Sequence, residues 1–261
     1  MARGGSAMMR FESMVARAAA GRKPQAAARS RYRMPPMDDA AGSGELAVLV
    51  HGLWMGRAIW LLFARRLRRQ GYRVVSFAYP SVRRGLAESA RDLEAFARDR
   101  PASRVHLVGH SLGGLVVLRM LRDAHSLALG RAVLLGCPVA GCGAAEQLGR
   151  SRAGRFLLGA ALPQWTPAEA PPTVRRFEIG AIAGTRRFGV GPLLVRLPRA
   201  NDGVVMVDET RLPGMADHLV LPVSHSGLVV SPRVANEAAA FLRTGRFAHR
   251  SEAVARPTRL V

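Results

Sequence analysis

Arg104-Val105-His106-Leu107-Val108-Gly109-His110-Ser111-Leu112-Gly113-Gly114-Leu115-Val116-Val117-Leu118 decides how the rest of the chain is read. Its first five residues have the β-branched and aliphatic content of a buried strand. The run from Leu112 to Arg122 is apolar enough for a helix buried in a core. Between them lies Gly-x-Ser-x-Gly, formed by Gly109, His110, Ser111, Leu112 and Gly113. A serine in so sharp a strand-to-helix turn takes a strained backbone conformation that lifts its hydroxyl above the sheet. Glycines at 109 and 113 are expected because side chains there would collide across the turn. The helix that follows aims free N–H groups and its positive dipole end at the same point.

Working outward, short aliphatic runs alternate with longer amphipathic ones. Leu46–Val50 reads as a strand buried on both faces, and residues 58–69 as a helix burying Ile59, Leu62, Phe63 and Leu67. Strand is expected again at 73–77, 104–108, 132–135, 177–183 and 219–223, with helices at 86–99, 112–122 and 231–243. This alternation at βαβ pitch predicts an α/β fold, a mostly parallel central sheet flanked by helices, whose working loops lie at the carboxyl ends of the strands. Residues 136–172 break the rhythm and read as a small lid-like insertion. Leu157, Leu158, Leu162 and Trp165 supply its apolar side chains.

A serine hydroxyl is almost un-ionised at neutral pH and needs a base to become a nucleophile. Of seven histidines, His225 follows the last expected strand directly, in Ser224-His225-Ser226-Gly227, on the rim that Ser111 occupies. His218 precedes that strand and falls at the opposite edge. His51 and His110 lie in short turns that they are expected to shape, His106 inside a strand. His125 and His249 belong to a helix end and to the C-terminal tail. The acid that orients the imidazole is assigned to Asp202, in the Gly203-containing turn Asn201-Asp202-Gly203-Val204-Val205, with Asp208, Glu209 and Asp217 as alternatives. An Asx turn without catalytic duty is the plain reading of Asp202. Two backbone N–H groups must face a developing oxyanion. Leu112 supplies one, and Leu53, in the His51–Gly56 loop, is the choice for the other, ahead of Trp54 and Met55.

Val50-His51-Gly52-Leu53, Gly109–Gly114, Asn201–Val205 and Ser224–Gly227 together resemble the α/β-hydrolase superfamily, in particular its small bacterial lipase- and esterase-like members. The order Ser111, Asp202, His225 is that superfamily's order. The resemblance covers about residues 45–243. It implies hydrolysis of carboxylic esters through an acyl-enzyme, without cofactor or metal, in one domain spanning 44–243. Trp54, Leu157, Leu162 and Trp165 are the expected substrate-facing side chains. An acyltransferase or thioesterase would use the same triad, and a non-catalytic binding module could share the fold.

The net charge of +21 invites a nucleic-acid reading. Lys23 is the only lysine, however, and the arginines are spread through an Ala- and Gly-rich chain without an aromatic-interleaved stripe. Specific nucleic-acid binding is therefore not expected. Peripheral contact with an anionic membrane suits the charge and a lipid-ester substrate. Cys137 and Cys142 are expected to be unpaired, small, buried or half-buried side chains. Residues 1–43 read as a basic, disordered extension without the apolar core of a signal peptide, and 244–261 as a basic, frayed tail. No run reaches the ~18 apolar residues of a membrane span, so a cytoplasmic protein is expected.

Overall fold

The computed structural model describes residues 44–123, 127–160, 177–189 and 195–248. Six strands form one sheet: β1 (Glu45–Val50), β2 (Arg73–Phe77), β3 (Arg104–His110), β4 (Leu129–Leu135), β5 (Ile179–Gly184) and β6 (Asp217–Leu221). Their order is β2-β1-β3-β4-β5-β6 and every neighbouring pair is parallel. From β1 the chain turns one way to β2 and the other way to β3. The carboxyl ends of β1 and β3 therefore flank the switch point, where parallel α/β sheets open a crevice.

Both faces of the sheet are covered, which is why β1 is apolar at every position after Glu45. Helices α1 (Leu61–Arg69) and α7 (Pro232–Thr244) cover one face, where Trp60, Phe63, Leu67, Val234, Ala238 and Phe241 form a core with Leu49 and Val133. Helices α2 (Leu86–Arg98) and α3 (Leu112–Asp123) cover the other, packing Leu86, Leu93, Leu115 and Leu118 on Val48 and Leu107. Helix α3 is nearly all apolar because it is buried nearly all round. Beyond β4 lie α4 (Gly143–Gly149) and α5 (Arg152–Leu158), and beyond β6 the single turn α6 (Gly227–Val230).

The first helical segment departs from the expected pattern. Residues Arg57–Trp60 form a 3-10 turn before α1 begins, and this shifts the buried stripe to Trp60, Phe63, Ala64 and Leu67. Leu62 is half exposed and Ile59 only half-buried, contrary to the periodicity. The C-terminal segment also differs from expectation as far as Ala248. Gly245 closes α7 in a left-handed conformation, and Phe247 turns back onto Phe241 with ring centroids 4.9 Å apart. No described helix is long and apolar enough to cross a membrane. The expected N-terminal extension, His125, Leu162, Trp165 and His249 lie outside the described residues, as does the Leu157 side chain.

Candidate active site

The backbone around Ser111 has the strain the sequence leads one to expect. Its φ is +52°, and among the described non-glycine residues only Trp54 (φ +58°) shares that sign. The conformation is held by Ser111 N–H donating to Leu135 O at 2.9 Å and Gly114 N–H donating to Ser111 O at 2.9 Å. A methyl group on Gly109 would sit 2.5 Å from Gly114 Cα, across the turn. The reason for Gly113 is different: its methyl would strike the carbonyls of Val50 and His51, at the end of β1. Gly114 is needed too, because Cys137 fills the space its side chain would take.

Asp202 and His225 meet in a buried ion-pair geometry, His225 Nδ1 to Asp202 Oδ2 at 2.7 Å. Each carboxylate oxygen has its own task. Oδ1 accepts from the amides of Val204 (2.9 Å) and Val205 (2.8 Å), and Oδ2 is left for the imidazole. The Asx turn and the histidine contact are thus two uses of one side chain. His225 N–H also donates to Asp202 O at 2.9 Å, so backbone and side chain fix the pair together.

Gly136 and His110 join this pair to the Ser111 turn, and Gly184 leaves room for it. Gly136, at φ +54°, directly follows the Leu135 carbonyl that Ser111 bonds, and a methyl there would lie 3.0 Å from Asp202 Oδ2 and 3.2 Å from His225 Nδ1. Gly184 ends β5, and its Cβ would lie 2.8 Å from Asp202 Cβ. His110 is fully buried; its Nε2 lies 3.0 Å from His225 O, and the two rings are 4.6 Å apart. Because a carbonyl only accepts, Nε2 carries the proton, leaving Nδ1 buried without a partner. Burial, then the neighbouring His225, holds the His110 pKa well below the ordinary histidine value, so it stays neutral. The sequence offered no sign of Gly136 or Gly184, since their role is to leave room for residues distant along the chain.

The loop after β1 comes up beside the serine. A Cβ on Gly52 would be 3.1 Å from Ser111 Cβ. His51 shapes this loop: its Nδ1 donates to Gly52 O at 2.9 Å, its ring stacks on Tyr79 at 4.6 Å, and its carbonyl accepts the Tyr79 hydroxyl at 2.9 Å. Met55 N–H is turned back to Gly52 O at 3.4 Å. Leu53 is half-buried against the core, whereas Trp54 is 57% exposed and faces Phe156 of α5 at 6.4 Å between ring centroids. Phe156 was not singled out in the sequence.

The alternative residues are occupied elsewhere. Asp208 pairs with Arg199 at 2.7 Å, and Asp217 accepts from the amides of His218 and Phe247. Glu209 takes the amides of Gly143 (2.6 Å) and Met206 (2.7 Å); burial raises its pKa. His218 stands at the amino end of β6, 2.8 Å from Thr210 Oγ1, and burial lowers its pKa to about 4. Both cysteines are free thiols, and burial pushes Cys137 well up and Cys142 up to about 12. Neither is a ready thiolate at neutral pH. Among the described residues no cluster of His, Cys, Asp or Glu is arranged to hold a metal.

A model described as the alpha/beta hydrolase family matches residues 47–254, and the chain belongs to that family. Among solved structures it is similar to the mature Bacillus licheniformis lipase BlEst2, with 19% identity, a TM-score of 0.63, and coverage of 77% of this chain and 91% of the other. It is also similar to the metagenomic carboxyl esterase MGS0156 (20% identity, TM-score 0.55, covering 81% and 78%). The esterase EaEST from Exiguobacterium antarcticum is a third such structure, at 14% identity and TM-score 0.57, covering 78% and 93%. At these identities the likeness is one of fold. No curated protein matches the chain.

Proposed function

We propose that this protein is a serine hydrolase that cleaves carboxylic esters, with Ser111 as nucleophile, His225 as general base and Asp202 as the group that orients it. The observation that carries this reading is the 2.7 Å His225–Asp202 contact beside a serine held at φ +52°. Asp202 Oδ2 accepts the Nδ1 proton, which leaves Nε2 of His225 unprotonated and able to take a proton. As Ser111 Oγ attacks the ester carbonyl, its proton passes to His225, and the amides of Leu53 and Leu112 receive the oxyanion. Collapse of the tetrahedral adduct returns that proton to the departing alcohol and leaves an acyl-serine. Water, deprotonated by His225, then releases the carboxylic acid and restores Ser111.

The esterase and lipase names of the structural neighbours point to the same substrate class. The full-length protein should hydrolyse p-nitrophenyl esters. Ser111→Ala should reduce kcat by about 10⁴-fold or more, with an unchanged circular dichroism spectrum and Tm. Turnover that survives in a folded Ser111→Ala variant would refute the assignment. Adding an alcohol during turnover separates hydrolysis from acyl transfer, because only an acyltransferase would deliver most of the acyl group to the alcohol.

A further inference from the structure

Large apolar side chains exposed to solvent are ordinary when scattered singly, and informative when they share one region. The large apolar side chains exposed among the described residues are Trp54, Leu61, Leu62, Phe156, Phe188 and Val230. All six belong to segments that leave the carboxyl ends of strands: Trp54, Leu61 and Leu62 after β1, Phe156 after β4, Phe188 after β5 and Val230 after β6. They are linked in space as well as in topology. Trp54 faces Phe156, Phe188 and Val230 line one open depression of about 240 Å³ beside Ser224, and the Arg66 guanidinium of α1 donates to Val230 O at 3.0 Å.

The charge on this rim is uneven: Arg84 in the loop after β2 is met by Glu88 and Asp92, and Arg199 by Asp208, whereas the segments that carry the exposed apolar side chains are almost wholly basic. Segments 51–62, 136–160, 185–189 and 222–231 carry Arg57, Arg150, Arg152, Arg155, Arg186 and Arg187, all exposed, against one carboxylate, Glu146. No ion pair joins these six arginines to a described carboxylate. From this pairing of apolar side chains with unopposed arginines, we infer that the rim around Ser111 docks on an anionic lipid bilayer, and that the esters it takes are lipids presented at that surface. The lipid-ester part of this inference rests on the hydrolase reading above; the docking part does not.

The chemistry favours a membrane over other occupants. Leucine, valine and aromatic side chains enter the boundary between headgroups and acyl chains, while arginines meet the lipid phosphates. A second copy docking symmetrically through this rim would set arginine against arginine. Nucleic acid would meet the arginines but leave Leu61, Leu62 and Val230 against a wet, polar surface.

The test is sedimentation of the full-length protein with vesicles of phosphatidylcholine, with or without phosphatidylglycerol. Three variants are compared with the wild type: Leu61→Ser/Leu62→Ser/Val230→Ser; Arg152→Gln/Arg155→Gln/Arg186→Gln/Arg187→Gln; and, on the far side of the sheet, Arg69→Gln/Arg98→Gln/Arg122→Gln. Binding should require phosphatidylglycerol. Each arginine near the surface is worth roughly fivefold in affinity, so the four-arginine rim variant should bind about 25-fold more weakly if two of them reach the headgroups and about 600-fold if all four do, the apolar variant should also weaken, and the far-side variant should match wild type. Turnover of a short, water-soluble ester should be unchanged in all three. Equal losses in rim and far-side variants, undiminished binding by the rim variants, or self-association that those variants abolish without any vesicle binding would each overturn the docking inference. Rim-dependent binding without any ester turnover would leave the docking in place and remove the hydrolase reading beneath it.

Discussion

At the amino ends of the strands arginines stand opposite carboxylates: Arg98 with Glu94 at 2.7 Å, Arg119 with Asp123 at 2.9 Å, Arg131 with Glu178 at 2.7 Å. At the carboxyl ends Arg84 and Arg199 are paired, but the segments that carry the exposed apolar side chains set exposed arginines beside them with Glu146 as their one carboxylate. Backbone strain divides the same way, since Ser111 and Trp54, the described non-glycine residues with positive φ, both lie at the carboxyl rim. One end of the sheet is arranged for stability. The other keeps strain, unpaired charge and apolar exposure, features that weaken a fold and that a site able to react and to bind can use.

Substitutions at the two ends should therefore separate activity from stability. After Ser111 itself, the largest loss of turnover is expected at Asp202, and Asp202→Asn isolates it from stability. Its oxygen can still accept the Val204 and Val205 amides, so the turn should hold, but its amide nitrogen would face Nδ1–H of His225. The wrong tautomer results, and kcat should fall about 10³–10⁴-fold with little change in Tm. Asp202→Ala should lose as much activity and, in addition, about 1–3 kcal/mol of stability, read from denaturant unfolding, as buried amides lose their acceptor.

Next comes Gly136→Ala, which adds a methyl 3.0 Å from Asp202 Oδ2 at a backbone of φ +54°. It should cost about 1–2 kcal/mol in strain and reduce kcat roughly 10- to 100-fold by displacing the pair. Gly71→Ala, at φ +93° with open space around it beyond α1, is the matching substitution at the amino end. It should show the strain in unfolding measurements and leave turnover intact. If both glycine variants lose activity alike, the division between the two ends fails.

Acid should weaken both ends. His51, His110, His106 and His218 all have pKa values lowered first by burial, so the unfolded chain binds protons more readily than the native one. Their contribution is complete above the unfolded value near 6.5, shrinks as pH falls below it, and for His218 is lost through about 4. Tm should therefore fall between pH 7 and 4, and His218→Gln should make that slope shallower. The smallest effect is expected for Arg98→Gln, which breaks an exposed helix pair. A loss of about 0.3–0.5 kcal/mol, less than about 2 °C in Tm, with unchanged turnover is the expected result.

The sheet was largely legible because a strand buried on both faces reads as an aliphatic run, as β1 does after Glu45, and because β2 and β3 keep apolar cores, Val74-Val75 and Leu107-Val108, between turn signals. The misses have a common cause. Strand β6 begins at Asp217, two residues before the expected start. As an edge strand it pairs only with β5, so it accommodates Asp217 and His218, which an aliphatic pattern passes over. Strand β4 likewise begins early, through the polar Arg131 and the small Gly130, whose methyl would press on the ring of His106. In the site, Asp202 and His225 could be chosen from turn chemistry and topology. Gly136, Gly184 and the carbonyl contact of His110 could not, because each depends on what another segment brings within a few ångströms.

The reading of Ser111 as an activated nucleophile can be tested without knowing the natural ester. Full-length protein treated with a fluorophosphonate, digested and mapped by mass spectrometry should carry one phosphonate per chain, on Ser111, and His225→Gln should slow its formation by at least about 10²-fold. An adduct on another residue, no adduct at all, or labelling of Ser111 at the same rate without His225 would contradict it.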